Sequence, residues 1–349
     1  MPNELTVSIC VPVYNGERFI SETLESVVRQ TYPHREIIVS DNASTDKTPQ
    51  IVRNFMRDYP IRHERSDTLL PVSEENFNRC ISLARNDLVC IYHSDDVYEP
   101  QIVARCVGMM KDHPQVGAVF TTARVINEQG KEISRYRLPN ELKKLNKQIF
   151  NLGEIFKAVL KNENSFLVCP SVMVRKSVYD RLGGWEYDKY RHASDLGLWF
   201  KIAREYPIAI LDEPLIRYRV STSQDSQHLT RQRTDKDCYL RVIEDYMRQT
   251  AVEGDERYYQ ASCIKDQVYR ALNLSALGRV NESRELTHQA LRNFGRHFKD
   301  LYSLGRALFW AGVGILLVGF NALPFAGLRR FYRTAVMKTL GMKKRIIAY

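Results

Sequence analysis

Two adjacent carboxylates, Asp95 and Asp96, follow a short apolar run, Leu88-Val89-Cys90-Ile91-Tyr92, and stand next to His93 and Ser94. Carboxylate oxygens are the preferred ligands of a hard divalent cation. Such a cation can bridge a diphosphate and neutralise the charge that grows on it as it leaves. Met alone, the same dipeptide would serve equally as a helix cap or a solvated turn. A second polar cluster, Asp41-Asn42-Ala43-Ser44-Thr45-Asp46, also follows an apolar run. A third acid, Asp195, stands directly before Leu196-Gly197-Leu198-Trp199-Phe200, where a lone aspartate would ordinarily cap a helix.

The elements that must position these acids are legible from hydrophobic period. Residues 7–13 and 36–40 are short, rich in β-branched side chains, and predict buried strands. Between them, Phe19, Ile20, Leu24, Val27 and Val28 fall at helical spacing within 17–30. A second helix is predicted from Thr48-Pro49, with proline in its first turn, to about Tyr59. Leu88 to Tyr92 predicts another strand. Strands alternating with helices imply an α/β domain with a mostly parallel sheet, where ligands bind beyond the carboxyl ends of the strands. Both polar clusters lie in that position. No GxGxxG follows the first strand, which argues against a dinucleotide-dependent dehydrogenase.

Taken in order, Val11-Pro12-Val13-Tyr14-Asn15, Val39-Ser40-Asp41-Asn42-Ala43-Ser44-Thr45-Asp46 and Ser94-Asp95-Asp96 with Pro100 resemble the successive signatures of family 2 glycosyltransferases. The resemblance continues through Gly183-Gly184-Trp185, Ser194-Asp195 with Leu198-Trp199, and Glu213-Pro214-Leu215 with Tyr218-Arg219, and covers roughly residues 5–223. It implies a GT-A fold, Rossmann-like, and an inverting single displacement on a nucleotide-sugar donor. It places Pro12 and Tyr14 at the nucleobase, with Tyr14 stacking, and gives Asp41 a polar contact to the base. Asn76 and Asn78 fall where such enzymes place donor-contacting residues. Asp95 becomes the principal ligand of a Mn2+ or Mg2+ ion, and Asp96 a supporting ligand or sugar contact. Asp195 becomes the general base, since a carboxylate in reach of an acceptor hydroxyl can take its proton.

Three positions depart from the family pattern. His93 stands where many members carry a further aspartate; its imidazole either ligates the metal, bonds the diphosphate or caps the turn. Ser194 replaces the usual glutamate before the base. Ser221 replaces a histidine that often reaches the metal, so either His228 substitutes from nearby or the metal has fewer protein ligands.

Composition sets the remaining bounds. Seven scattered cysteines without a CxxC pair argue for reduced thiols rather than a disulfide framework or zinc site. The N-terminal residues run into the first strand without a signal-peptide pattern. The net charge of +10 is concentrated: residues 292–349 carry eleven Lys/Arg against one acid, Asp300, and the preceding chain is neutral. A nucleic-acid binder would spread its basic surface over the folded domain. Here the charge brackets an apolar run, Ala307 to Leu328, which points to anionic membrane lipids as a partner.

As a helix that run would reach about 33 Å, enough for a roughly 30 Å hydrocarbon core. A single span from a cytoplasmic catalytic domain would leave Arg329, Arg330, Arg333, Lys338, Lys343, Lys344 and Arg345 on the far side, against the positive-inside tendency. A dip into one leaflet, broken at Asn321 to Pro324, is therefore favoured over a span. Beyond it, Leu328, Phe331, Tyr332, Ala335, Val336 and Leu340 form a stripe suited to an in-plane helix on anionic headgroups. Between catalytic domain and tail, the stretch from Leu229 to Leu301 is mainly helical and turns at Gly278. It is a packed annex in preference to a tetratricopeptide-like partner-binding repeat.

The expected organisation is thus a glycosyltransferase domain over 1–225, a helical annex over 226–300 and a membrane-associating segment over 301–349. The expected site is the cytoplasmic face of the inner or plasma membrane, and the expected acceptor is a lipid-linked glycan, most simply polyprenyl-diphosphate-linked. The competing expectation is a catalytically silent nucleotide-sugar-binding scaffold, supported only by the substitutions at His93 and Ser221.

Overall fold

The computed structural model describes residues 4–163, 166–221, 233–249, 256–297 and 305–320. The chain divides into two compact units, Met1–Ser221 and Thr222–Tyr349.

The first unit is built on one sheet, with strands β1 (Val7–Val13), β2 (Arg35–Asp41), β3 (Ile61–Arg65), β4 (Leu88–Ile91), β5 (Val97–Tyr98), β6 (Ala118–Ile126), β7 (Glu132–Tyr136), β8 (Ile149–Phe150), β9 (Met173–Arg175) and β10 (Ile208–Arg219). Its helices are α1 (Ile20–Val28), α2 (Thr48–Phe55), α3 (Ser73–Leu83), α4 (Ile102–Asp112), α5 (Asn140–Lys143), α6 (Leu152–Asn162), α7 (Lys176–Leu182), α8 (Tyr187–Tyr190) and α9 (Ser194–Glu205). Every residue of β1 is buried, as expected of a strand rich in β-branched residues and covered on both faces. Pro49 sits in the first turn of α2, where its missing N–H costs nothing.

The sheet order is β3-β2-β1-β4-β9-β6-β10-β5, with β7 on β6 and β8 on β10. The long strands run parallel, as expected, and shorter antiparallel strands are added to them. β1 pairs parallel with β2 and β4, β2 with β3, and β6 with β10. The short strands β5, β7, β8 and β9 pair antiparallel. β5, β8 and β9, at two or three residues each, are too short to show a period, so the sequence did not announce them. Parallel pairing of β2-β1-β4 brings three carboxyl ends to one edge, and the loops 14–19, 42–47 and 93–96 leave from it.

The second unit contains α10 (Cys238–Gln249), α11 (Glu256–Ala276), α12 (Val280–Arg296) and α13 (Gly305–Phe320). Gly278, at φ +81°, makes the left-handed turn between α11 and α12. Trp310 and Val313 of α13 join Ala261, Ile264, Val268, Ala271, Leu272 and Ala290 in one core. The first turns of the Ala307–Leu328 run therefore pack on protein on one face, while Leu308, Phe309 and Ile315 remain exposed. A run that is apolar all round does not reveal in sequence which neighbour it meets. No helix among the described residues is long and apolar enough to cross a membrane. The basic stripe beyond Asn321, and His228, lie outside the described residues.

Candidate active site

The loops after β1 and β2 are laced into one surface. Asn15, at φ +47°, turns its Oδ1 to accept the Thr45 N–H at 2.8 Å, and its own N–H donates to Ser44 Oγ at 3.0 Å. Glu17 N–H donates to Asp46 at 2.9 Å. Hydrogen bonds from Thr48 and Glu17 outweigh partial burial and hold the Asp46 carboxyl below its ordinary range. Pro12 is buried in β1, whereas the Tyr14 side chain is 49% exposed and leaves an aromatic face open beside these loops.

Asp41 ends β2 and is fully buried. Burial opposes its ionisation, but hydrogen bonds from His63 and Ser44 prevail and hold its pKa below the usual value. His63 Nε2 lies 3.4 Å from Asp41 Oδ2, and the Ser44 N–H donates to Oδ1 at 2.8 Å. The result is an ionised acceptor held from two sides, suited to a base N–H.

At the end of β4, one ligand atom from each of His93, Asp95 and Asp96 falls within a cluster 4.8 Å across. His93 Nε2 and Asp96 Oδ2 are both buried without a hydrogen-bond partner. Such atoms are costly unless something satisfies them. Burial holds the imidazole pKa below its ordinary value, so at neutral pH the ring keeps a lone pair to give. Its plane stacks on Phe77, with centroids 5.2 Å apart. Burial, and then the charge of Asp95, push the Asp96 carboxyl well above its usual range. A cation there would reverse that balance. One imidazole with two carboxylates fits Mn2+ or a related ion, with Mg2+ the poorer match to a nitrogen ligand.

Arg219, at the end of β10, secures this motif from behind. Its backbone N–H donates to Asp96 Oδ1 at 2.7 Å and its Nε donates to the Asp95 carbonyl at 2.7 Å. The guanidinium pairs with Glu22 of α1 and lies 4.5 Å from the centre of the Phe19 ring. Sequence marked Tyr218-Arg219 as a signature without giving it a task, because its partners lie about a hundred residues away or more. Ser221, two residues on, is buried.

Asp195 occupies the first turn of α9, where its Oδ1 accepts the Leu196 N–H at 2.6 Å. Burial pushes its carboxyl up to about 6; the Leu196 N–H opposes this and the charge of Glu74 adds to it. Cys169 feels Asp195, Glu74 and Asp96 together, which places the candidate base and the metal motif in one neighbourhood.

Asn76 and Asn78 are committed to the protein. Asn76 accepts from Ser40 Oγ at 2.6 Å and donates to the Ser40 carbonyl at 3.0 Å. Asn78 exchanges both amide bonds with the Trp185 backbone, at 2.9 and 3.0 Å. Gly184 is required beside it, because a Cβ there would fall 1.9 Å from Asn78 Oδ1. These contacts fasten α3 to β2 and to the Gly-Gly-Trp turn rather than presenting both amides to a donor.

A Rossmann-like α/β domain with a polar, metal-suited motif at the carboxyl edge defines a nucleotide-dependent enzyme of the GT-A kind. Residues 8–183 match the glycosyl transferase family 2 model, and the chain belongs to that family as a glycosyltransferase. It is 26% identical over 204 residues to the putative glycosyltransferase EpsE of Bacillus subtilis, covering 57% of this chain and 67% of that one. Across the first curated relatives the matches span between 49% and 67% of the relatives' own length. Among solved structures, S. aureus TarS 1–349 in complex with UDP-GlcNAc superposes with a TM-score of 0.58 at 16% identity, over 95% of this chain and 92% of that one. The mannosyltransferase PcManGT of Pyrobaculum calidifontis, in complex with GDP-Man and Mn2+, gives 0.54 at 18% identity, over 95% and 88%.

Proposed function

We propose that this protein transfers a sugar from a nucleoside-diphosphate sugar to a hydroxyl of a membrane-bound glycan acceptor, with inversion and with a divalent metal. The observation that carries the metal-dependent part is the pair of orphaned ligand atoms, His93 Nε2 and Asp96 Oδ2, gathered with Asp95 at the sheet edge. His93, Asp95 and Asp96 would hold the ion, which when bound supplies positive charge against the departing diphosphate.

The chain's own groups account for the rest. Tyr14 offers a face for base stacking, and Asp41 accepts a base N–H. Arg219 keeps Asp95 and Asp96 in place. Asp195 accepts the acceptor's proton as the new bond to the anomeric carbon forms and the bond to the diphosphate oxygen breaks. A carboxyl near 6 is ionised at neutral pH yet basic enough for that transfer. Asn76 and Asn78 serve as framework for the site. Solved neighbours bound to UDP-GlcNAc and to GDP-Man support a nucleotide-sugar donor.

The lipid-linked acceptor is supported by the exposed face Leu308, Phe309 and Ile315, followed in sequence by seven Lys/Arg between Arg329 and Arg345. Exposed apolar side chains together with basic ones are what an anionic bilayer surface recognises. On this basis we place the protein at the cytoplasmic face of the membrane, attached without spanning it.

The test is release of nucleoside diphosphate from a panel including UDP-GlcNAc and GDP-mannose, with Mn2+, Mg2+ or chelator. Metal-dependent release is expected. Nucleotide binding with no turnover on any donor would instead favour the silent-scaffold alternative.

A further inference from the structure

Ser194, which precedes the candidate base, is buried, and its hydroxyl donates to Glu74 Oε1 at 3.2 Å. Glu74 lies in the first turn of α3, 120 positions away in the chain. A carboxylate from another element therefore reaches the position beside Asp195 where the family resemblance leads one to expect a glutamate in the chain itself. Ser194 is small enough to leave room for it and polar enough to hold it.

We propose that Glu74 is the positioning residue of the base: through Ser194 it fixes the start of α9 and keeps a second negative charge beside Asp195. This rests on the reading of Asp195 as base. A neighbouring carboxylate disfavours the ionised form of Asp195, so the proton-accepting group becomes more basic than burial alone would make it. Among the described residues, Glu74 from α3 and Cys169 from the turn Cys169–Ser171 act on Asp195, while Arg191 and His192 stand in the turn that leads into α9. Cys169 is itself pushed well above its usual range by burial and stays neutral, whereas the charge of Glu74 raises the Asp195 carboxyl.

The same α3 also carries Phe77 against His93 and Asn78 against Trp185. Glu74 is thus held on a helix that is already fixed to the metal motif and to the Gly-Gly-Trp turn. Base and metal motif are thus both tied to one element, α3.

The test uses the full chain. The Asp195 carboxyl is titrated by carbon-13 NMR of aspartate-labelled protein, its resonance assigned by its absence in Asp195→Asn. The midpoint is expected near 6 in the natural chain and lower in Glu74→Gln, which keeps an oxygen for Ser194 but loses the charge. Release of UDP from UDP-GlcNAc, or GDP from GDP-mannose, is followed in parallel. Glu74→Ala should lower kcat by about tenfold or more with little change in donor KM, the scale on which a displaced reacting group is felt. Glu74→Ala with Ser194→Glu should recover most of that loss, which a purely structural role for Glu74 would not allow. An unmoved Asp195 midpoint in both Glu74 variants, or a double variant no better than Glu74→Ala, overturns the proposal. Full turnover in Asp195→Asn would instead remove the base reading and this proposal with it.

Discussion

Burial penalises the ionised form of Asp195, and the consequence for stability has a definite sign. Its folded pKa of about 6 lies above the roughly 3.9 of an unfolded aspartate, so the native state holds the proton more tightly. The charged group therefore destabilises the fold above pH 6, and the penalty fades as pH falls through 6 towards 4. Asp195→Asn should make the protein more stable at pH 7.5 by about 1–2 kcal/mol, discounted for partial exposure, and by almost nothing at pH 4. Urea unfolding at the two pH values reads this directly. In the same variant, turnover should fall by about 10² or more while donor still binds. Asp95→Ala should separate the properties the other way. The side chain stands at a strand end, so thermal unfolding should be little changed. The stabilisation that Mn2+ adds to nucleotide binding should vanish, and a retained Mn2+ effect in a thermal-shift titration would put the metal elsewhere.

Helix α3 shows how an element that the sequence reading did not announce can tie a site together. Gly184→Ala tests its attachment: the added Cβ would collide with Asn78 Oδ1 and break both amide bonds to Trp185. A loss of about 2–3 kcal/mol in unfolding free energy is expected, from overpacking together with the loss of both bonds of a half-buried amide. Metal-dependent binding should weaken as well, because Phe77 on the same helix supports His93. The strands β1, β2 and β4 and the acids at their ends were legible in sequence, since hydrophobic period and the polar residue that follows are both local. The partners of those acids were not. His63 for Asp41, Arg219 for Asp95 and Asp96, and Glu74 for Ser194 are joined by 22, 123 or 124, and 120 positions of chain. No short window on the sequence contains both members of such a pair, and only the fold brings them together. The antiparallel strands β5 and β8 escaped for a simpler reason: two residues have no period.

At the scale of the whole chain, one apolar run serves two environments. Trp310, Ala311 and Val313 are buried, Trp310 and Val313 in the core with α11 and α12, while Leu308, Phe309 and Ile315 face outward from the same helix. A cut before Ala307 would therefore open the core of the second unit, and a fair test of membrane attachment must keep α13. Truncation after Phe320 does so while removing the seven basic residues between Arg329 and Arg345. Each Lys or Arg near an anionic surface contributes about 1 kcal/mol, an attraction that salt screens within about 10 Å at 0.1 M. The full chain should then float with vesicles containing anionic lipid, release as salt rises, and bind neutral vesicles weakly. The truncated chain should lose the anionic preference and keep its thermal unfolding and its hydrolysis of free donor. Replacing Leu308, Phe309 and Ile315 by Ser in the full chain should leave the salt-sensitive part and remove the salt-resistant part, because the apolar term does not depend on ionic strength in the same way. Equal flotation of full-length and truncated protein would locate the membrane contact on the α13 face alone, and absence of flotation in both would separate the enzyme from the bilayer altogether.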